Sequence, residues 1–281
     1  MKEYSDSTYD QERALYGIRE AIVRNCRFEG PADGESALKE CSDLTVEDCR
    51  FDLRYPLWHL DKGRVSGIEM TPNCRAAMWY CSDMSVSGSV MNGIKAVREC
   101  VRTVIADTKV DSPEFGWKCR DLTLRNVDLT SEYPFLDTRN LVLDHVKMNG
   151  KYSFQYVEDC EVKDSELHTK DAFWHSRNVT VTDSVVDGEY LGWYSENLRL
   201  VRCRIRGTQP LCYCRGLVLE DCTMEGCDLS FERSEVTASV KGGITSVKNP
   251  LKGEITADSV GELILNIPEA EKGGCRVTVR E

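Results

Sequence analysis

Three ionisable residues, Glu99, Lys118 and Asp137, follow one another at intervals of nineteen residues. If successive repeats stack in register, the two carboxylates lie two rungs apart, about 9–10 Å, with the lysine between them. This separation is at the upper end of the range for inverting glycoside hydrolases, in which one carboxyl group is the acid and the other activates water. A neighbouring lysine disfavours the protonated form that a general acid needs, so the trio also fits a lyase in which Lys118 removes a proton beside a uronate carboxyl. The structural alternative is a salt-bridge ladder, reinforced by the opposite pair Lys95 and Glu114.

Aromatic residues recur at the same interval, and all five tryptophans share one place in it. Sugar rings stack on aromatic faces and form hydrogen bonds with imidazoles, phenols and carboxylates. We therefore predict an oligosaccharide groove, with His175 as a fourth catalytic candidate because it follows a tryptophan in Phe-Trp-His. The alternative is an internal aromatic stack beside a solvated charged face. The predicted substrate-binding residues are His59, Trp79, Tyr80, Trp117, Tyr156, Trp174, Trp193 and Tyr194.

The element that must position these residues is a nineteen-residue repeat. Eight copies run without a gap from residue 83 to residue 234, and residues 43–61 form another copy of the same length. Two copies are longer: residues 20–42 carry four extra residues at Gly30-Pro31-Ala32-Asp33-Gly34, and residues 62–82 carry two near Thr71-Pro72-Asn73. These insertions predict a rim over the aromatic face. A fixed period of this size indicates a solenoid, in which stacked coils share one core.

Each repeat, numbered from 1 to 19 with Asp43 as a first residue, predicts three strands and three corners. Positions 2 and 4 are apolar around a polar residue, as in Leu122 and Leu124, which indicates a short strand. Positions 1, 6 and 10–11 carry Asp, Asn or Gly, which tolerate turn backbone. No strict hexapeptide repeat is visible, so we predict a right-handed parallel β-helix of about eleven coils. One domain of residues 1–281 would comprise an N-terminal cap at 1–19, regular coils at 20–234, and irregular coils with a cap at 235–281.

The third predicted strand, positions 13–18, carries the aromatic and ionisable residues. Alternation along a strand places positions 14, 16 and 18 toward the core and positions 13, 15 and 17 toward solvent. Position 15 is apolar, as in Leu57 and Phe135, so this parity leaves an exposed apolar stripe unless a bend buries positions 15 and 16 together. An exposed stripe would support a homo-oligomer.

Most of the 14 cysteines fall on positions 7 and 18 of the repeat. Stacking makes them neighbours, which predicts a ladder of buried thiols. The alternative is a metal site built from Cys81, Cys100 and Cys119, or from the pair Cys212 and Cys214 with Cys227. No Cys-x-x-Cys pair occurs, so we predict no metal and no other cofactor.

Charge and hydropathy exclude several classes of function. The formal net charge is −11, from 36 basic and 47 acidic residues, which disfavours binding to nucleic acid. The first residues lack the apolar segment of a secretory signal, and no stretch of about 18 apolar residues occurs. We therefore expect a cytoplasmic protein without a membrane span, in which the cysteines are thiols.

Six segments resemble a bacterial family of unknown function, number 3737 among such domains. They are residues 12–17 (Glu-Arg-Ala-Leu-Tyr-Gly), 33–40 (Asp-Gly-Glu-Ser-Ala-Leu-Lys-Glu), 54–59 (Arg-Tyr-Pro-Leu-Trp-His), 112–118 (Ser-Pro-Glu-Phe-Gly-Trp-Lys), 170–176 (Lys-Asp-Ala-Phe-Trp-His-Ser) and 207–214 (Gly-Thr-Gln-Pro-Leu-Cys-Tyr-Cys). The resemblance implies a pectin-lyase-like right-handed β-helix and a bacterial cytosolic origin, but no reaction and no catalytic residues. The functional predictions are therefore a carbohydrate-active hydrolase or lyase and, as the alternative, a non-catalytic scaffold that binds glycan or protein.

Overall fold

A computed structural model describes residues 1–30 and 35–280 of the chain, which divides into two compact units, Met1–Val142 and Leu143–Glu281. Each unit is built from short parallel strands that pair with the equivalent strand of the next coil. The predicted class, an all-β parallel solenoid, is confirmed. Its right-handedness, its number of coils and its folding as one domain stay predictions.

Strands account for nearly all regular structure in the described residues. Those of the first unit are β1 (Lys2–Ser5), β2 (Thr8–Tyr9), β3 (Arg19–Arg24), β4 (Arg27–Glu29), β5 (Ser42–Glu47), β6 (Arg50–Asp52), β7 (Asp61–Ser66), β8 (Glu69–Met70), β9 (Met78–Trp79), β10 (Ser82–Ser87), β11 (Val90–Asn92), β12 (Val97–Arg98), β13 (Val101–Asp111) and β14 (Arg120–Glu132). The division between the units falls within β15 (Arg139–Asp144). The second unit continues with β16 (Lys147–Lys151), β17 (Glu158–Lys163), β18 (Glu166–Lys170), β19 (Arg177–Thr182), β20 (Val185–Asp187), β21 (Glu196–Val201), β22 (Arg204–Arg206), β23 (Leu217–Glu225), β24 (Glu235–Lys241), β25 (Gly243–Lys248), β26 (Lys252–Ala257), β27 (Ser259–Ile264), the helix α1 (Pro268–Glu271) and β28 (Cys275–Val279).

Positions 2 and 4 contribute to the core of each coil, as the sequence predicts. Ile105 pairs with Leu124, and Val181 pairs with Leu200, and all four side chains are buried. Because the pairing is in register, side chains at equivalent positions of successive coils stack on one another along the inside of each unit. Full burial of a Val or Leu side chain stabilises the fold by about 1.5–3 kcal/mol relative to an exposed one. Because ordering the chain costs conformational entropy, this burial must be repeated over many coils for the fold to be stable.

The corners at positions 1 and 6 adopt the left-handed backbone that their Asp, Asn and Gly residues tolerate. Asp121 and Asn140 have φ of 55° and 53°, and Asp107 and Asn126 have φ of 49° and 52°. Their side chains form ladders, because Asn140 Nδ2 donates to Asp121 Oδ1 at 2.9 Å and Asn126 Nδ2 donates to Asp107 Oδ1 at 3.1 Å. The corner prediction is confirmed, and these amides help to fix the register between coils.

The third segment of the repeat differs from the prediction, because most copies form turns rather than a strand. Left-handed residues alternate with ordinary ones, as at Tyr133, Phe135 and Asp137, whose φ values are 56°, 64° and 52°. This backbone does not alternate sides like a strand, so Phe135 is buried while Leu136 and Asp137 face outward. Position 16 therefore faces outward at Leu136 and is partly exposed at the tryptophans, against the predicted parity, whereas Cys212 and Phe231 at the same position are buried.

The apolar residues at position 15 are fully buried, with 0% exposure at Leu38, Leu57, Met78, Val97, Phe135, Phe154, Phe173 and Leu211. The predicted exposed stripe is absent at these residues, which removes the observation on which a homo-oligomer was expected. Among the described residues, no helix is long and apolar enough to span a bilayer.

Candidate functional site

The predicted catalytic trio lies on one outward column of the first unit. This first-unit column consists of the position-17 residues Glu40, His59, Tyr80, Glu99, Lys118 and Asp137. Each has a φ between 50° and 59°, which turns its side chain away from the core. Backbone bonds hold consecutive members one coil apart, for example Glu99 N to Trp117 O and Lys118 N to Leu136 O, both at 2.8 Å. The sequence thus correctly predicts that Glu99, Lys118 and Asp137 share one column.

The imidazole of His59 is held between two residues of this column. Its Nδ1 lies 3.1 Å from Glu40 Oε1, and its ring meets that of Tyr80 edge to face, with centroids 5.1 Å apart. This contact places the Glu40 carboxylate beside one of the two ring nitrogens, and Nε2 is the other nitrogen that could exchange a proton. His59, which the sequence predicts as a substrate-binding residue, is therefore also a candidate base.

The predicted salt-bridge ladder forms in only one place. Lys95 Nζ lies 3.3 Å from Glu114 Oε2, as expected for the opposite pair. Glu99 instead pairs with its neighbour Arg98, whose Nε lies 3.3 Å away. Within residues 1–30 and 35–280, neither the Lys118 ammonium nor the Asp137 carboxylate has an ion pair or hydrogen bond. These two groups remain available to a ligand.

The tryptophans of the first unit form a stack with cationic side chains. Trp58 and Trp79 are 5.5 Å apart and nearly parallel, and Lys39 Nζ lies 4.2 Å from the Trp58 centroid. Arg98 lies between Trp79 and Trp117, with its guanidinium carbon 5.0 Å and 5.2 Å from the two rings. The faces of these rings are therefore largely covered by neighbours, and cation–π contacts add to the stacking. Trp79 and Trp117 lie where a ligand would reach their edges rather than their faces.

The second unit contains a parallel ladder of smaller rings. Tyr156, His175, Tyr194 and Tyr213 stack in sequence with centroids 5.1, 5.0 and 4.8 Å apart. These rings also cover one another, so the phenol oxygens and imidazole edges are the groups presented to solvent. His175 belongs to this ladder, whereas the other predicted catalytic residues belong to the first unit.

Trp174 and Trp193 stack beside that ladder, 5.4 Å apart. Their indole nitrogens donate to backbone carbonyls of the next coil, Trp174 to Tyr190 at 2.7 Å and Trp193 to Gln209 at 2.8 Å. These bonds satisfy turn carbonyls that the irregular third segment leaves without a strand partner. In the second unit the tryptophan column therefore has a structural role.

One buried acid of the second unit was not predicted as a site residue. Asp171 is 7% exposed, and burial raises the pKa of its carboxyl group, with Lys170 opposing the shift and Glu189 adding to it. No hydrogen bond or ion pair of this carboxyl occurs within the described part of the chain. The available signal was a single acid at position 13 among the tyrosines Tyr152 and Tyr190.

The thiols form the buried ladder that the sequence predicts. All 14 are free and all but Cys275 are buried. Cys81 Sγ donates to Leu57 O at 2.9 Å and Cys100 Sγ to Met78 O at 3.3 Å, so the thiols bond to the backbone of the preceding coil. Burial raises the pKa of Cys41 and Cys214 to about 11, which keeps both thiols protonated and disfavours metal ligation.

The described residues contain one group with metal-ligand geometry. Ligand atoms of Asp144, His145 and Asp164 lie within 4.8 Å of one another. The group is largely exposed, and Lys163 Nζ already lies 3.0 Å from Asp144 Oδ2. A resident lysine supplies the positive charge that a cation would bring, so the group is explained as an ion-pair cluster.

The predicted rim falls partly outside the described residues, because its first insertion lies at 31–34. The second insertion is tied to the preceding coil by Asp52, which accepts from Thr71 Oγ1 at 2.6 Å and from Asn73 Nδ2 at 2.8 Å. These bonds lower the pKa of Asp52. The turn at 71–73 is thus an ordered part of the first unit.

Comparison with solved structures finds distant similarity. The chain is similar to the surface adhesin PfbA of Streptococcus pneumoniae, with 6% identity, a TM-score of 0.42, and coverage of 94% of this chain and 84% of that one. It is also similar to the A-module of the mannuronan C-5 epimerase AlgE6 of Azotobacter vinelandii, with 12% identity, a TM-score of 0.39, and coverage of 99% and 88%. No curated protein sequence matches. The model of one sequence family covers residues 2–278, so the chain belongs to the family described as "Protein of unknown function (DUF3737)".

Proposed function

We propose that this protein is carbohydrate-active and binds an oligosaccharide along the first-unit column, with His59 as the base that removes a proton from the substrate. The observation that carries the proposal is the 3.1 Å contact between His59 Nδ1 and Glu40 Oε1. A carboxylate beside one imidazole nitrogen leaves the second nitrogen as the one that can accept a proton from a substrate. The column spans five coil steps from Glu40 to Asp137, or about 24 Å, which is long enough for several sugar residues.

The chemistry that fits these groups best is elimination from a uronate. His59 removes the proton at C5, the electron pair forms the C4–C5 double bond, and the glycosidic C4–O bond breaks. The leaving oxygen takes a proton from the Tyr80 phenol, whose ring adjoins that of His59. Solvent then returns a proton to Tyr80 and removes one from His59. Lys118, which has no ion-pair partner among the described residues, supplies a positive charge for a uronate carboxylate further along the column.

Turnover of an oligosaccharide library tests this proposal. We expect uronate-containing oligosaccharides to yield an unsaturated product, detected by its ultraviolet absorbance. His59→Gln should lower kcat at least about 100-fold, because it removes the base, and Glu40→Gln should lower it about tenfold, because it removes the group that orients the base.

The matched control is His168→Gln. His168 also pairs with a carboxylate of a neighbouring coil, since its Nδ1 lies 3.4 Å from Asp187 Oδ2, but it lies on β18 of the second unit. This variant should keep full activity. A saturated product whose formation needs Glu99 and Asp137 would show that the protein is a hydrolase and not a lyase. Full activity of His59→Gln would show that His59 is not the base.

A non-catalytic binding role is the second candidate, and the covered ring faces favour it. Stacked columns of the kind formed by Tyr156, His175 and Tyr194 stabilise a solenoid without any ligand. Binding of an oligosaccharide without turnover, abolished by Lys118→Met but unaffected by His59→Gln, would support this role.

We further propose that the protein resides in a reducing compartment, as expected for a cytoplasmic protein. The proposal is supported by fourteen free cysteines, thirteen of them buried.

A further inference from the structure

An open cavity of about 570 Å³ lies on the surface of the first unit, over the strands β5 and β7, and its charged lining residues are exposed. Such a volume is within the range of small-molecule sites. Its lining is mostly polar and charged and includes Glu20, Asp43, Thr45, Lys62 and Arg64. None of these residues belongs to the first-unit column, so the cavity is separate from the proposed oligosaccharide site.

Arg64 is the basic residue of this lining whose charge has no partner. It occupies position 3 of its repeat, and its strand neighbours are Thr45 and Ser85 on the adjacent coils. Within residues 1–30 and 35–280, its guanidinium group forms no ion pair and no hydrogen bond. A guanidinium between two hydroxyl-bearing side chains presents a fork of donors suited to a carboxylate or a phosphate.

The second unit provides a comparison for this arginine. Arg199 also occupies position 3, on β21, with Thr180 as its strand neighbour on the preceding coil. Its Nη2 lies 2.6 Å from Glu220 Oε1, so its charge is matched within the protein. The two arginines have the same place in the repeat, but Arg64 lines the cavity described above and lacks a carboxylate partner, whereas Arg199 has one.

The other charges of the cavity indicate what else a ligand must carry. Asp83 is held by Arg102, which donates to it at 2.6 and 2.8 Å. Asp43 Oδ1 is 4.0 Å from Lys62 Nζ, a loose contact that leaves both groups able to bind a ligand. Carboxylates with spare acceptor capacity match hydroxyl donors, and they disfavour ligands of high negative charge.

From these observations we infer that the cavity around Arg64 binds a small polyhydroxylated acid, with its carboxylate or phosphate group on Arg64 and its hydroxyl groups on Asp43 and Glu20. The inference rests on the cavity and on Arg64, and does not depend on the proposed function.

Isothermal titration of the full chain with glucuronate, glucose 6-phosphate and glucose tests the inference. At least one of the two acids should bind and glucose should not, and the preferred acid identifies a carboxylate or a phosphate site. Arg64→Gln should weaken binding at least about tenfold, and Arg64→Lys should weaken it less because the charge remains. Arg199→Gln should bind as tightly as the wild type.

Three results would overturn the inference: no binding of either acid to the wild type, equal binding by Arg64→Gln, or an equal loss in Arg199→Gln. Circular dichroism of each variant establishes that it is folded. Because the readout is binding of single sugars, its failure leaves the turnover of oligosaccharides at His59 unaffected, and the converse also holds.

Discussion

At the scale of single residues, the burial of Asp171 makes the stability of the protein depend on pH. Its folded-state pKa is raised by burial, so the carboxyl group favours its protonated form in the folded protein. The contribution of this carboxyl group to stability is then most favourable at a pH where it is protonated in both the folded and the unfolded chain. The contribution decreases as the pH rises through the unfolded-state pKa toward the raised folded-state pKa. At pH values above the unfolded-state pKa, the buried carboxyl group therefore opposes folding.

We therefore expect Asp171→Asn to be more stable than the wild type at pH 7, with a difference that disappears in acid. Urea unfolding at several pH values measures this difference. Asp137→Asn is the control, because Asp137 is exposed and should show little change. A variant of Asp171 that is less stable than the wild type at pH 7 would show that its carboxylate makes a stabilising contact in the folded state.

At the scale of the repeated elements, the sequence predicts two sides of the coil well and the third side poorly. Two features could be predicted from the sequence, the strand of Leu122 and Leu124 and the corners at Asp107 and Asn126. Alternating apolar residues indicate a strand, and Asp, Asn or Gly indicate a turn. The third segment could not be predicted in this way. Large residues such as Phe135 have φ of 64° there, a left-handed backbone conformation that such residues ordinarily disfavour.

The same difference limits the prediction of the candidate site. Columns such as Glu99, Lys118 and Asp137 follow from the period alone, since any in-register solenoid makes them neighbours. The direction of the tryptophans and the contact between Glu40 and His59 depend on turn geometry and rotamers, which the period does not contain.

The second corner allows a matched test of backbone geometry. At Gly188 a Cβ atom would lie 2.1 Å from the Thr169 carbonyl oxygen, whereas at Gly226 it would meet nothing within 4 Å. Both glycines have positive φ, 153° and 65°. We expect Gly226→Ala to cost about 1–2 kcal/mol, from left-handed backbone alone.

Gly188→Ala should cost at least about 1–3 kcal/mol more, because the coils must separate to admit the methyl group. The free energy of unfolding in urea measures both. Equal costs for the two variants would show that the close approach at Gly188 relaxes freely.

At the scale of the whole molecule, stability should be local along the chain. Pairing in a solenoid runs between adjacent coils, so each coil is stabilised by its neighbours and not by distant parts of the sequence. The two units, residues 1–142 and 143–281, should therefore respond separately to a core substitution. Leu200, which is fully buried in the second unit, is a suitable position, because Leu→Ala in a core costs about 2–5 kcal/mol.

Hydrogen exchange measured by mass spectrometry can follow this response coil by coil. In Leu200→Ala we expect faster amide exchange in peptides from residues 160–240 and unchanged exchange in peptides from residues 20–100, because local opening needs only the coils next to the cavity. Val65→Ala, at the equivalent inward position of a first-unit coil, should give the reverse distribution. If either variant accelerated exchange equally in both regions, unfolding would be a single cooperative event, and nearest-neighbour stacking would not describe how this chain holds its fold.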